Sequence, residues 1–268
     1  MSDYDRRKAL GAAIEALDAG SRELMLRFRQ AGGPLKSWDK TQGAPVTEAD
    51  LASDRAISGV LSGSGIGTGI LSEESEAGEK RGLVWLVDPL CGTFPYREGL
   101  AHWGLNVALR DEEILVLGAI ALPPTRDVFS AVRGAGAAHN GRRFEPKPPA
   151  VPLERSMICV EIDSADEWAA HAPLLTRFAR AAGAINMFGS ITYPIAQLLQ
   201  ARLSALVVLK VAPMHVAAGA AIATEIGLVV SDLGGAPVDW TTNGDLPSIV
   251  IAWPEHHASL MKAASGRA

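Results

Sequence analysis

The feature that most constrains the fold is a run of five apolar residues, 83–87 (LVWLV), which ends at Asp88-Pro89. A short apolar run followed by turn-forming residues is typical of a β-strand. Asp88 is therefore predicted to lie at the margin of a sheet, where open α/β folds place their ligand sites. The following turn, 90–93, could hold an anion on free backbone N–H groups. An Asp-Pro pair is also a common turn former, so Asp88 alone does not define a site.

Two further carboxylates end a second apolar strand. Glu73 and Glu74 follow Ile70-Leu71 after a single serine. Carboxylates that are brought together repel one another, and a hard divalent cation between them removes that repulsion. Glu73 and Asp88 together therefore predict a metal site.

Composition narrows the class of protein. The chain has 268 residues, 48% of them apolar, so it can bury a sizeable core. A formal net charge of −5, with no run of Lys and Arg, argues against nucleic acid as a partner. The N-terminus lacks the apolar core of a signal peptide, and no apolar stretch is long enough to cross a bilayer. The chain contains only two cysteines. We therefore expect a cytoplasmic protein with no membrane partner and no disulfide framework.

Helical and strand patterns along the chain predict an α/β (α+β) fold. An amphipathic helix is predicted over 5–30, and a second helix begins at Thr47, where Thr47-Glu48-Ala49-Asp50 has the form of a capping box. The proline-rich stretch 146–152 predicts a subdomain boundary. We expect an N-terminal α+β subdomain, 1–148, and a C-terminal α/β subdomain, 149–268, joined in one compact unit.

Three segments, in this order, resemble the inositol monophosphatase superfamily, in particular its bisphosphate-nucleotidase and histidinol-phosphatase-like branches. They are 45–50 (PVTEAD), 71–75 (LSEES) and 85–93 (WLVDPLCGT), and later segments such as 134–141 (GAGAAHNG) and 216–219 (VAAG) continue the match. The resemblance implies a layered α/β/α/β/α sandwich. It also implies hydrolysis of small phosphate monoesters with Mg²⁺ and a metal-activated water.

The resemblance assigns roles residue by residue. Glu73, Asp88 and the carbonyl of Leu90 match metal ligands of the family. Asp50 matches an acid that lies near the metals without binding them directly. Thr93 matches the residue that orients the attacking water, and Lys40 lies about where the family has a mobile-loop lysine. Gly92 and Thr93 match phosphate-holding N–H groups. Ser190 and Thr192 match a loop near the phosphate and substrate, so both are predicted ligand contacts. Relatives are often homodimers.

Two departures from the family pattern affect one metal position. The family has an Asp at the position of Cys91, and Trp-Asp where this chain has Met214-His215. Both missing Asp residues ligate the same metal in the family. Val208 stands in the region where relatives often carry a substrate-binding acid, which makes a polyol such as inositol a poor candidate substrate.

Three interpretations of Cys91 and His215 remain open from the sequence. In the first, the two form a nucleophilic dyad for acyl or related group transfer or hydrolysis of an activated acid, with a thiolate favoured by helix N-termini. In the second, Asp88, Cys91 and His215 hold an altered metal, and a phosphomonoesterase survives with Zn²⁺ or Fe²⁺ in place of Mg²⁺. In the third, the chain binds a phosphorylated ligand or a partner protein without catalysis. We favour the first, and we expect a small-molecule substrate and either one divalent metal, Mg or Zn, or none.

Overall fold

The computed structural model describes residues 3–28, 35–41, 44–67 and 69–266. The helices found there are α1 (Asp3–Arg27), α2 (Glu48–Gly63), α3 (Thr93–Arg97), α4 (Ala165–Ala181), α5 (Thr192–Leu199), α6 (Pro213–Glu225) and α7 (Pro254–Ser265), with a 3₁₀ turn at Leu153–Arg155. The strands are β1 (Ser37–Thr41), β2 (Ala44–Thr47), β3 (Gly69–Ser72), β4 (Glu76–Gly78), β5 (Leu83–Cys91), β6 (Gly104–Asp111), β7 (Ile114–Leu122), β8 (Asp127–Val132), β9 (Gly136–His139), β10 (Arg142–Phe144), β11 (Met157–Glu161), β12 (Ala184–Asn186), β13 (Ala205–Val211), β14 (Val229–Ser231) and β15 (Leu246–Ala252).

Two large sheets organise the chain. The first has eight strands in the order β10-β9-β8-β7-β6-β5-β3-β4, and the second has five in the order β12-β11-β13-β15-β14. Strand β3 runs parallel to β5 in the first sheet, and β11 runs parallel to β12 and β13 in the second. The other described pairs are antiparallel, and β1 with β2 forms a separate hairpin.

Three apolar clusters show how the sheets and helices are layered. One cluster packs α1 and α2 on the outer face of the eight-stranded sheet, through residues such as Leu17, Ile57 and Trp85. The second lies between the two sheets and contains α5 and α6, and the third packs α4 and α7 on the far face of the five-stranded sheet. Leu86 faces the second cluster while Trp85 and Val87 face the first, as strand alternation requires. The predicted α/β/α/β/α sandwich is confirmed.

One local prediction is confirmed, and one needs correction. Thr47 caps α2, with its hydroxyl accepting from the N–H of Ala49 and Asp50 and the Asp50 side chain bonding back to Thr47. The segment predicted as a turn-rich loop holding Lys40 instead contains the β1–β2 hairpin. Its strands are short and largely polar, so they carry no alternating apolar signal.

None of the helices in the described ranges has the length and apolar composition needed to cross a membrane.

Candidate active site

The turn at the end of β5 is shaped by an interruption in strand pairing. Asp88 pairs with Asn106 of β6 and Cys91 pairs with Gly104, with an irregular register between them. Pro89 has no N–H to donate to the ladder, and the freed N–H of Leu90 donates to Asp88 Oδ1 at 3.2 Å. Strand β5 therefore extends beyond the predicted end at Val87, and its last residues turn Asp88 and Cys91 toward different neighbours.

Gly92 closes this turn in a conformation that needs glycine. Its φ is +102°, in the left-handed region, and a Cβ there would lie 2.8 Å from the carbonyl oxygen of His102. Thr93 follows as the first residue of α3, a position whose N–H has no acceptor within the helix.

Glu73 reaches the same place from the neighbouring strand. Its N–H donates to the carbonyl of Val87 at 3.1 Å, which fixes Glu73 beside Asp88. Behind it, Asp54 accepts hydrogen bonds from Ser72 and Ser75 at 2.5 and 2.7 Å. These contacts hold the segment after β3 against α2.

His215 enters from the other side, on the first turn of α6. Its Nδ1 lies 2.7 Å from Oδ2 of Asp88, whose side chain is fully buried. Burial alone would lower the pKa of His215, but the charges of Asp88 and Glu73 and the Asp88 hydrogen bond raise it to about 9. Asn106 steadies this end of α6 by donating to the carbonyl of His215 at 3.3 Å.

Glu73, Asp88 and His215 form the one group of three or more potential metal ligands within the described ranges. One ligand atom from each lies within 4.8 Å of the other two. Two carboxylate oxygens and an imidazole nitrogen are donors that divalent cations accept, so the group fits a metal ion. Cys91 does not belong to it, so the Asp88, Cys91 and His215 ligand set proposed from the sequence needs correction.

The Cys91 thiol has different neighbours. Its Sγ accepts from the N–H groups of Ile191 and Thr192 at 3.1 and 3.3 Å, at the start of α5. No hydrogen bond joins Cys91 to His215 within the described part of the chain. Burial, and then the charge of Asp88, raise the pKa of Cys91 well above its ordinary value, although the two N–H groups oppose this. The expectation that the fold favours a thiolate at Cys91 is therefore not met.

Thr93 and Asp50 form a connected pair below the turn. The Thr93 hydroxyl donates to Asp50 Oδ1 at 3.0 Å and lies 3.4 Å from the carbonyl of Leu90. Asp50 is almost fully buried, and this burial raises its pKa to about 6 against the opposing hydrogen bonds from Thr47 and Thr93. Asp50 thus orients Thr93 from behind.

A cavity of about 110 Å³ opens at these residues. Besides Glu73, Asp88 and His215, its lining includes two acids that the sequence analysis missed, Glu161 and Asp163. Glu161 accepts from the N–H groups of Phe188 and Gly189 at 2.7 and 3.2 Å, and burial raises its pKa to about 7. Glu161 could have been found from the sequence, because it is a carboxylate that ends the apolar strand 157–160. Glu73 and Asp88 are identified by the same pattern.

Some of the other predicted contact residues line the cavity, and others do not. Leu90, Gly92, Thr93 and Ser190 line the cavity, and the Ser190 hydroxyl donates to the carbonyl of Cys91 at 3.0 Å. The Thr192 side chain is fully buried behind the lining and bonds with Asn106 at 2.5 Å. Lys40 belongs to β1, and its side chain lies outside the described part of the structure.

Comparison with known proteins identifies the class. The model of the inositol monophosphatase family matches residues 5–266, so the chain belongs to the inositol monophosphatase family. Inositol-1-monophosphatase ImpA of Mycolicibacterium smegmatis is 30% identical over 263 residues, covering 94% of this chain and 90% of that protein.

Two further relatives match this chain over less than half of its length. Glucose-1-phosphate thymidylyltransferase of Streptomyces griseus is 39% identical over 124 residues, 46% of this chain, and histidinol-phosphatase of Chlorobaculum parvum is 33% identical over 108 residues, 40% of this chain. The chain spans only 48% and 42% of the lengths of these two relatives.

Solved structures show the same fold. The extragenic suppressor protein SuhB of Bartonella henselae superposes with a TM-score of 0.87 at 24% identity, covering 97% of this chain and 99% of that one. The inositol monophosphatase of Thermotoga maritima gives 0.81 at 22% identity, with 96% of each chain covered.

Proposed function

We propose that the protein hydrolyses phosphate monoesters of small molecules, using a divalent cation held by Glu73, Asp88 and His215. The observation that supports this most directly is the convergence of these three ligand groups within 4.8 Å in an acidic cavity. Four carboxyl groups line that cavity and no Lys or Arg is found among its described lining residues. Such a negative site attracts a cation before it admits a phosphate.

The donor set favours a particular class of metal. In place of the second metal position of its relatives, this chain offers an imidazole nitrogen beside two carboxylates. Imidazole suits Zn²⁺ or Fe²⁺ better than Mg²⁺, which takes oxygen ligands. When bound, such a cation supplies the Lewis acidity that phosphate ester hydrolysis requires. The relative solved with Mg²⁺ and phosphate, an IMPase/NADP phosphatase, shares the fold at 18% identity and a TM-score of 0.77.

The residues around the cluster take the remaining tasks. Thr93, held by Asp50, orients the attacking water through its hydroxyl. The turn at Gly92 and Thr93 presents backbone N–H groups to the phosphate, which needs no side-chain charge. Ser190 stabilises the turn by its bond to the Cys91 carbonyl.

The competing interpretations have less support. A Cys91 nucleophile needs a base in contact and a lowered pKa. Instead, the thiol bonds to backbone N–H groups, its pKa is raised, and His215 pairs with Asp88. A binding protein without catalysis would have no need to keep Glu73, Asp88, His215 and the Asp50–Thr93 pair together.

The test is phosphate release by protein purified without chelator, together with its metal content. We expect activity on a panel of small phosphate monoesters that is lost after EDTA treatment and returns with Zn²⁺ or Fe²⁺ more effectively than with Mg²⁺. Glu73→Gln should abolish the recovery, while Cys91→Ala should keep it.

Two results would contradict the proposal. Hydrolysis of activated acyl esters that survives EDTA and disappears in Cys91→Ala would establish the nucleophilic dyad. Absence of turnover on the whole panel, with phosphate or phosphate esters bound stoichiometrically, would establish a binding protein.

A further inference from the structure

A second cavity, of about 510 Å³, shares no lining residue with the acidic one. It is bounded by the first turns of α1 and by the strands β8 to β10. Its size falls within the range of about 300–1,000 Å³ that is usual for pockets that hold small organic ligands. No residue of the candidate active site lines it. We call it the arginine cavity, after Arg6, Arg7, Arg133 and Arg143 in its lining.

The charge of this cavity is opposite to that of the whole protein. Four guanidinium groups surround it in a chain with a formal net charge of −5, and no Asp or Glu occurs among its described lining residues. Arg143 pairs with Glu145 at 2.5 Å, whereas Arg6, Arg7 and Arg133 form no ion pair within the described ranges. Three unpaired guanidinium groups around one concavity make a positive potential that is specific to this part of the surface.

Polar groups in the cavity also lack partners. Nε of Arg6 is buried without a hydrogen-bond partner, and buried polar atoms are seldom left in that state. The hydroxyl of Ser130 likewise makes no hydrogen bond to the described residues, although Ser130 is only 7% exposed. By contrast, the N–H groups of Gly134 and Gly136 are already used by the carboxylate of Glu225, at 2.8 and 2.9 Å. Side chains, not backbone N–H groups, would therefore bind a ligand here.

We propose that the arginine cavity binds a small organic phosphate that carries an apolar or aromatic portion, such as a nucleoside diphosphate. A guanidinium group binds phosphate bidentately, through two parallel N–H···O bonds, so several arginines around one cavity suit the two phosphates of a diphosphate. Leu10, Val132 and Ala137 give the floor an apolar surface on which a ring can pack. This site is separate from the proposed catalytic reaction and does not depend on it.

The probe is ADP, measured by isothermal titration calorimetry in EDTA with the Asp88→Asn protein, so that the acidic cavity and bound metal cannot contribute. We expect saturable binding that pyrophosphate weakens by competition and that adenosine alone does not reproduce. The double variant Arg7→Glu/Arg133→Glu should weaken ADP binding at least roughly tenfold and leave phosphate release by the otherwise wild-type protein unchanged. Both residues are exposed, so the variant should fold.

The matched control is Arg22→Glu/Arg55→Glu, which makes the same change in net charge at two exposed helix positions outside the cavity. It should bind ADP as before. The proposal is overturned if ADP does not bind, if the two double variants weaken ADP binding equally, or if Arg7→Glu/Arg133→Glu binds ADP as well as the parent.

Discussion

Asp88 and Cys91 lie three residues apart on one turn, yet they face different surroundings. Asp88 bonds to His215 and opens onto the acidic cavity, whereas Cys91 points its sulfur at two backbone N–H groups of α5. In the family pattern both positions hold Asp residues that ligate metal. Here Asp88 belongs to the proposed metal site, while Cys91 links β5 to the start of α5.

The strongest test of the metal half is Asp88→Asn. Loss of the carboxylate that is shared by the cluster should lower phosphate release by at least about 1,000-fold. Asp127→Asn is the matched control, because Asp127 also pairs with a histidine, His139, at 2.7 Å but lies outside the cavity. If the two substitutions reduce the initial rate equally, the effect is one of folding and the assignment of Asp88 is wrong.

His215→Asp should change which metal supports activity. An added carboxylate restores an all-oxygen donor set, so the ratio of Mg²⁺ to Zn²⁺ affinity should rise by at least roughly tenfold. Metal titrations of the EDTA-treated protein, followed by phosphate release, measure this ratio. An unchanged preference would mean that His215 does not ligate metal.

Glu161→Gln tests the buried carboxyl group that accepts from the N–H groups of Phe188 and Gly189. These two residues directly precede the segment whose N–H groups bond to Cys91. Burial raises the pKa of Glu161 from an ordinary 4.5 to about 7, so the folded protein holds this proton more tightly than the unfolded chain. The resulting stability is fully present below pH 4.5 and is lost as the pH rises through 7, a change of about 3 kcal/mol.

The variant has no such proton, so its free energy of unfolding relative to the wild type should rise between pH 4.5 and pH 8. Denaturant unfolding at several pH values measures this difference. A constant difference across that range would show that the folded and unfolded chains bind this proton equally, so that burial does not raise the pKa of Glu161.

The smallest effect is expected at Cys91. Cys91→Ser keeps an acceptor for the two N–H groups and should alter phosphate release by less than about threefold, while Cys91→Ala leaves both N–H groups unsatisfied and should cost about 1–3 kcal/mol of stability. Initial rates and thermal unfolding distinguish the two. A loss of activity in Cys91→Ser as large as in Asp88→Asn would restore the nucleophilic interpretation.

The sequence predicts most of the helices and strands through their apolar patterns, and it predicts the layered fold through its resemblance to the inositol monophosphatase family. It predicts less of the site. The closeness of Glu73 and Asp88 could be expected from two strand ends, but the partner of His215 could not. That partner depends on how α6 is held over the eight-stranded sheet, through contacts such as Asn106 with the His215 carbonyl.

The surroundings of Cys91 could not be predicted from the sequence either. Its neighbours are set by α5, a hundred residues later in the chain, and burial outweighs the helix N-terminus in its effect on the thiol. Local sequence contains neither the distance between those elements nor the depth of the thiol.

The interrupted pairing between β5 and β6 has one more consequence. The conformation of the turn is fixed by Pro89, by the positive φ of Gly92 and by the resumed pairing of Cys91 with Gly104, all of which belong to the polypeptide itself. A cation arriving at Asp88 would meet ligands that are already in place, so little chain entropy would be lost on association. At the proposed metal site, exchange of the ion should therefore be limited by desolvation of the ion and not by a folding step.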